Sequence, residues 1–556
     1  MLPTITGVLE SHSSPLSAVY GYHDRTKHHF QRLARSLGYL DWASQPRPFR
    51  GFIGTRVFPL YPAPGVADGY APRYTTLDQA CQLEMPAEPL SAAAIGDLLR
   101  HALGLSAWKQ VGGSRWSLRV NPSSGNLHPT EAYVMCGALP GLADGPAVYH
   151  YAADRHALEL RCVFDAGTWD DALGERDVVL VALTSIHWRE AWKYGERAFR
   201  YCQHDLGHAI AAVSVAASLV GWRAVLLPAW SHRAVAAVTG IDRDDDFAEA
   251  EREDPGCILA LGGAESLACP QDVVVQLVDA VLAGRWFGQA TQLSEDHVEW
   301  SLITEVARAT DDPGRPSVPA VPLPVWHRRR GLPRSIEARA LLLQRRSAVA
   351  FDGRSTLDRA SFVDMLAPLL PSPRAPWASV WWAPRVHLAL FVHRVEGVPP
   401  GLYALLRAPC AFDQIRAAGR PDLLWEQADD GLPLWCLARD DVRSLAARLS
   451  CDQSIAADGF FSLAMIADFD ASLQAFGPSF YRQLFWEAGM VGQVLYLEAE
   501  AAGARATGIG CFYDDPVHDV LGLRGHTFQS LYHFTVGTPV DDARLTTEPG
   551  YPWEAD

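Results

Sequence analysis

Between Ala209 and Trp222 the chain runs through small and aliphatic residues almost without a polar break, "AIAAVSVAASLVGW", and Arg223 closes the run. A membrane span needs about 20 apolar residues, so the stretch predicts a buried helix that ends at Gly221 in the manner of a glycine C-cap. A short segment and a second helix follow it. Upstream, "SRWSLRVNPSSGNLHPTEAYVM", Ser114 to Met135, reads as two strands around a loop of proline, serines, glycine and asparagine. Such a loop is either a turn whose side chains satisfy their own backbone or the wall of a site.

The same order of elements returns further along. "KYGERAFRYCQHDLGHAIAAVSVAASLVGWRAVLLPAWSHRAVAAVTGI", from Lys193, aligns without a gap with "AFGPSFYRQLFWEAGMVGQVLYLEAEAAGARATGIGCFYDDPVHDVLGL", from Ala475, at an offset of 282. Gly195 meets Gly477, Arg200 meets Arg482, Gly207 meets Gly489, Gly221 meets Gly503 and Gly240 meets Gly522. Looser matches place Tyr149 over Tyr403 and Leu90 over Leu357. Each copy reads helix, loop, strand pair, long helices, closing strand, which predicts an α+β fold of two tandem units. The proline-rich "ATDDPGRPSVPAVPLPVWHRRRGL", Ala309 to Leu332, reads as the linker between them.

The copies differ where they are polar. "NPSSG" at Asn121 lies over "APWAS" at Ala375, "QRRSAVAF" at Gln344 falls opposite "LDQACQLE" at Leu77, and "GIGCF" at Gly508 faces "LLPAW" at Leu226. Two independent sites would each lack parts. One site formed between the copies would be complete.

Composition agrees with two units: 556 residues exceed what one core organises, and 49% hydrophobic with 20% charged residues is a globular balance. The formal net charge of −16 argues against a nucleic-acid partner, which needs clustered cations. The one basic run, His327 to Gly331, sits in the linker and reads as solvated. Ten cysteines without a Cys-x-x-Cys pair, and a start "MLPTITGVLESHSS" without a basic or apolar leader region, predict reduced thiols in a cytoplasmic protein without a membrane anchor.

Several features carry chemistry. Arg345, Arg346 and Ser347 at the head of a segment suit a phosphate, although surface arginine pairs are common. "ATGIGCF" sets Gly508 and Gly510 around Ile509, for a close backbone approach or a strand with a bulge. Lys193 beside Tyr194 is either a solvated lysine at a helix entrance or a proton-transfer pair. His204 and His208 have i, i+4 spacing, but the glutamate of a metalloprotease helix is missing, and no metal site is predicted. Dinucleotide fingerprint, nucleophile elbow and Walker loop are not evident.

Taken together, "RVNPSSGNLHPTEAYV", "WKYGERAFRYCQHDLGHAI", "QRRSAVAFDG" and "ATGIGCFYDD" resemble the SagB/ThcOx-type dehydrogenases of the FMN-dependent nitroreductase superfamily. "YHDRTKHHFQRLARSLGYLDWASQPRPF", from Tyr22, is similar to the segment that opens tandem members of that group. The resemblance implies two nitroreductase-like domains forming an intramolecular pseudo-dimer with one FMN per chain. It assigns Arg345, Arg346 and Ser347 to the phosphate, Gly508, Ile509 and Gly510 to the flavin ring, and Pro122, Ser123, Ser124 and Asn126 to the opposite wall. Lys193 and Tyr194 resemble the base pair of azoline-oxidising members. The mirror-image position, with Trp377 and Asp78, Gln79 and Ala80, is expected to bind nothing.

A second family arginine is replaced by Val349, so the phosphate needs another partner, for which Arg544 is the candidate. The expected division is an N-terminal helical extension (1–77), a first domain (78–308), the linker (309–335) and a second domain (336–556). The expected activity is dehydrogenation of an azoline-type ring in a peptide natural product, with a peptide or small-molecule substrate and other peptide-modifying enzymes as partners. An NAD(P)H-dependent nitro or quinone reductase is the alternative enzyme, and a non-catalytic scaffold subunit the alternative of another class.

Overall fold

The small-residue run becomes a helix, α2 (Ala198–Leu219), in which every residue is buried. Shifting both bounds by 282 gives α3 (Phe480–Ala501), buried from Phe480 to Glu500. The helix before α2, α1 (His187–Tyr194), has its counterpart in Phe469–Phe476 at the same displacement, and His232–Thr239 has its own in Asp514–Leu521. Gly221 at φ +70° and Gly503 at φ +73° close the long helices. Beyond each, Trp222 N–H donates to Ala217 C=O and Ala504 N–H to Ala499 C=O, both at 2.9 Å, the six-to-one bond of a glycine-terminated helix.

These coordinates are a computed structural model, and they describe residues 14–60, 70, 72–83, 85–173, 176–263, 267, 271–315 and 336–554. Each half contributes an antiparallel sheet. The first holds β1 (Thr130–Cys136), β2 (Ala147–Ala152), β3 (Ala157–Val163), β4 (Val178–Ser185), β5 (Arg223–Leu226) and β6 (Asp254–Gly262) in the order β3-β2-β1-β4-β6-β5. The second holds β7 (Val386–Val392), β8 (Gly401–Leu405), β9 (Leu434–Arg439), β10 (Phe461–Asp468), β11 (Arg505–Ile509) and β12 (Phe528–Gly537) in the order β9-β8-β7-β10-β12-β11. The second order is the first with six added to each number. The fold is α+β, two tandem units that form a pseudo-dimer within one chain.

One apolar cluster takes side chains from both sheets and both long helices, while a separate cluster covers the outer face of each sheet. The two halves are therefore joined through a common core. Charged groups reach across as well: Arg200 of α2 pairs with Asp514 at 2.7 Å, and its counterpart Arg482 pairs with Asp254 at 2.5 Å. A C-terminal strand, Thr546–Pro549, adds to Leu105–Val111 of the first half, and Arg339 of the second half pairs with Asp97 of the first.

Within the expected N-terminal extension, Pro15–Arg25 is a helix, and two short strands, Phe52–Ile53 and Val57–Pro59, join other segments, the latter extending the first sheet at β3. Of the expected linker (309–335), residues 316–335, with the basic run His327 to Gly331, lie outside the described residues. Among the described residues no helix is long and apolar enough to cross a membrane.

Candidate active site

The Pro-Ser-Ser loop leads from the strand Ser114–Arg119 into β1 and bends through three left-handed residues, Gly125, Asn126 and His128, at φ +59°, +60° and +54°. Its polar side chains hold this shape. Ser123 Oγ accepts from the His128 N–H at 2.7 Å, Asn126 Nδ2 donates to the Ser117 carbonyl at 2.9 Å, and Asn126 Oδ1 lies 2.9 Å from His128 Nε2. Ser124 donates both its N–H and its hydroxyl to the Asp205 carboxylate of α2 at 3.0 Å. Burial raises the Asp205 carboxyl to about 7 against those stabilising bonds. In the run His204 to His208, the side chain that serves the loop is thus the aspartate, which sequence reasoning passed over. His208 is a hydrogen-bonded histidine inside the packed helices, with Nδ1 3.2 Å from Gln493 Oε1.

The facing wall belongs to the second half. Arg345 donates to the carbonyls of Val120 at 3.1 Å and Arg119 at 3.2 Å, and its Nη1 is buried without a partner. Arg346 lies beside it, its guanidinium lowered to about 10 by burial and by the charge of Arg345. Ser347 Oγ is 2.8 Å from the Tyr496 hydroxyl, which also accepts from Gly508 N–H at 3.0 Å. Gly508 and Gly510 have no room for a side chain: a Cβ on the first would collide with the Tyr532 hydroxyl, and one on the second with the ring of Tyr201. The Ile509 side chain is buried in the outer core of its sheet, so this residue offers only its backbone to the site.

These two walls enclose one cavity of about 810 Å³. Pro122, Ser123, Ser124, Asn126 and Tyr194 line it from the first half, and Arg345, Arg346, Ser347, Gly508, Ile509 and Gly510 from the second. Lys193 is exposed and stands outside the lining, with its Nζ against the Gly125 turn, where an added Cβ would lie 3.3 Å away. Tyr194 lies at that same turn, and burial, with Glu190 and Tyr201 beside it, holds its phenol protonated well above the ordinary range. Glu190, one turn earlier on α1, is fully buried with neither carboxyl oxygen hydrogen-bonded; burial and the nearby Asp205 raise its carboxyl well above the carboxylate range. No sequence motif marked it.

Three further cations line the cavity, Lys109 and Arg119 of the first half and Arg505 of the second, the last paired with Asp541 at 2.7 Å. Arg544 is not among them. It is exposed and paired with Asp542 at 2.7 Å, because the chain turns outward between the lining residues Ala543 and Leu545.

The mirror position has a cavity of about 210 Å³, bordered by Asp78, Cys81 and Trp377. Trp377 is buried, donates to the Pro368 carbonyl at 2.7 Å and lies under the Arg407 guanidinium at 4.5 Å. Gln79 is spent on a helix cap with Thr76, and Ala80 is buried. The counterpart of Asp205 is Glu487, which accepts from the amides of Arg385 and Val386. The acid that holds the loop is present in both copies, but the walls built on it differ.

Residues 86–263 match the model of the Nitroreductase family. This part of the chain is similar to that family. A protein of Methanocaldococcus jannaschii described as "Putative nitroreductase MJ1384" is 26% identical over 145 residues, 25% of this chain and 68% of the relative. The crystal structure of a "putative nitroreductase" from Anabaena variabilis superposes with a TM-score of 0.67 at 20% identity, over 94% of this chain and 99% of that one. The nitroreductase-type fold therefore extends over both halves.

Proposed function

We propose that this chain is an FMN-dependent oxidoreductase of the SagB type, with one flavin per chain, which dehydrogenates an azoline-type ring of a peptide natural product. The division into an extension (1–77), two domains (78–308 and 336–556) and a linker (309–335) belongs to this reading. The observation that carries it is the composite cavity, whose volume falls within the range of about 300–1,000 Å³ usual for cofactor and ligand sites. Arg345, with its unpartnered buried Nη1, and Arg346 supply paired donors for a phosphate, with Lys109 and Arg505 in place of the missing family arginine. Gly508 and Gly510 keep the wall flat for a ring system, and Pro122, Ser123, Ser124 and Asn126 bound the other side.

FMN bound in this cavity would supply the two-electron acceptor. The chain's own task is to place a base and a donor beside the substrate. Tyr194, held protonated, serves as a hydrogen-bond donor that orients the ring. Lys193, whose Nζ lies at the Gly125 turn on the edge of the lining, is then the member of the pair that would take the carbon-bound proton from a substrate reaching that edge.

A second reading is an NAD(P)H-dependent nitro or quinone reductase, of which the description of the Methanocaldococcus relative as a "putative nitroreductase" favours the nitro-reducing part. Anaerobic mixing separates the two. Bleaching of the flavin absorbance by a thiazoline-containing peptide but not by NADPH supports the dehydrogenase, and the reverse supports the reductase. Lys193→Met should lower dehydrogenation by about 100-fold or more with FMN content unchanged. Protein that takes up no FMN would leave the scaffold reading.

A further inference from the structure

At the end of the glycine strand two cysteines meet. Cys511, the residue after Gly510, lines the cavity, and its Sγ lies 2.8 Å from that of Cys451 and 3.7 Å from His28 Nδ1. Three separate segments are held to make this meeting. Cys451 and Asp452 are consecutive non-glycine residues in the left-handed region, at φ +54° and +57°, a conformation that side-chain-bearing residues rarely adopt. Asp452 is tied down by Arg448 at 2.7 Å, and Gln453 donates to the Cys511 carbonyl at 3.0 Å. The His28 segment is locked to residue 514 by a backbone amide to the Asp514 carboxylate at 2.8 Å.

The sulfurs stand closer than two thiolates on a zinc ion, which Zn–S bonds of about 2.3 Å at tetrahedral angles would hold about 3.8 Å apart. They also stand within a small shift of a disulfide, at about 2.04 Å. The two are chemically unequal. The Cys451 thiol, His28 and the Arg197 charge stabilise a thiolate on Cys511, while Cys451 is held as the thiol.

We propose that Cys511 and Cys451 are a redox-active thiol pair in the cavity wall, oxidised by small disulfides of the glutathione class. The Cys511 thiolate attacks one sulfur of the external disulfide; the S–S bond breaks and one thiolate leaves. Cys451 gives its proton to the leaving thiolate and attacks Cys511 Sγ in the mixed disulfide, releasing the second thiolate. The pair loses two electrons, the external disulfide gains them, and one proton passes from Cys451 to the products. The state of the pair would set the seat of the adjoining Gly508–Gly510 backbone. None of this depends on the nature of the proposed substrate.

The test uses the full chain. The reduced protein is exposed to glutathione disulfide, quenched with iodoacetamide and mapped by mass spectrometry, with exposed Cys410 as the internal reference thiol. The wild type should yield a Cys451–Cys511 cross-linked peptide and no lasting glutathione, whereas Cys451→Ser should trap glutathione on Cys511. In the unsubstituted protein Cys511 should be alkylated about tenfold or more faster than Cys410 at mildly acid pH, and His28→Gln should move that pH profile upward. Cys511 reacting no faster than Cys410, a missing adduct in folded Cys451→Ser, or a stoichiometric metal that must be chelated before either cysteine reacts would each overturn the proposal.

Discussion

Gly207 of α2 and Gly489 of α3, equivalent residues of the two copies, face each other where the long helices cross. A Cβ on Gly489 would lie 2.9 Å from Gly207 Cα, and one on Gly207 would lie 2.7 Å from Trp486 Cα. The pseudo-dimer is thus closed by backbone against backbone. Gly207→Ala should separate the helices and cost about 1–3 kcal/mol or more. Gly503→Ala, whose site is strained at φ +73° but has nothing within 4 Å, should cost only about 1 kcal/mol. Urea unfolding of the two variants decides it; equal losses would mean that the crossing is not tight.

Arg345 has a buried, unpartnered Nη1 aimed at no protein group. Arg345→Ala should therefore weaken FMN binding about tenfold or more while leaving riboflavin, which lacks the phosphate, much less affected. Arg544→Ala should change neither. Titration by quenching of flavin fluorescence measures all three, and an equal loss for both flavins would remove the phosphate role.

Ser123 occupies the place that Trp377 fills in the other copy. Ser123→Trp should abolish FMN uptake with the far-UV circular dichroism unchanged. In the wild type, bound flavin should approach one per chain, and a value near two would show that the mirror cavity is also a site.

Asp205 has a folded carboxyl pKa near 7 against an ordinary value of 3.8. The folded chain therefore binds the extra proton between these values, and stability should fall as pH rises from about 4 to about 7, then level off. Asp205→Asn lacks this decline. The stability gained by the Asn variant relative to wild type should grow across that window by an amount on the order of 4 kcal/mol, from about 1.36 kcal/mol per pH unit. Glu190 titrates in the same direction and is raised partly by Asp205, so the difference holds the Asp205 titration together with its coupling to Glu190. A pH-independent difference in urea unfolding would remove Asp205 as a buried acid.

The duplication was legible from residue order alone because its signals are local: glycines that end helices, a small-residue run that must be buried, and one gapless offset that the helix bounds α2 and α3 repeat without a residue's error. So were the cavity walls, because the copies differ just where Ser123 and Ser124 meet Trp377 and Ala378. Arg544 misled because charge and position in the chain say nothing about which way a turn points its side chain.

What tertiary structure decided are the relations between distant residues. Asp205 holds Ser124 across 81 positions, Arg345 reaches the Val120 carbonyl across 225, and Cys451 meets Cys511 across 60. None of these partners shares a helix face or a strand register, so no periodicity links them. Composition likewise cannot tell that Glu190 is buried without a hydrogen bond or that Lys193 remains exposed three residues later. Those facts follow from how α1 packs against α2 and the loop, and burial of a charge is a property of the packed interior, not of the residue.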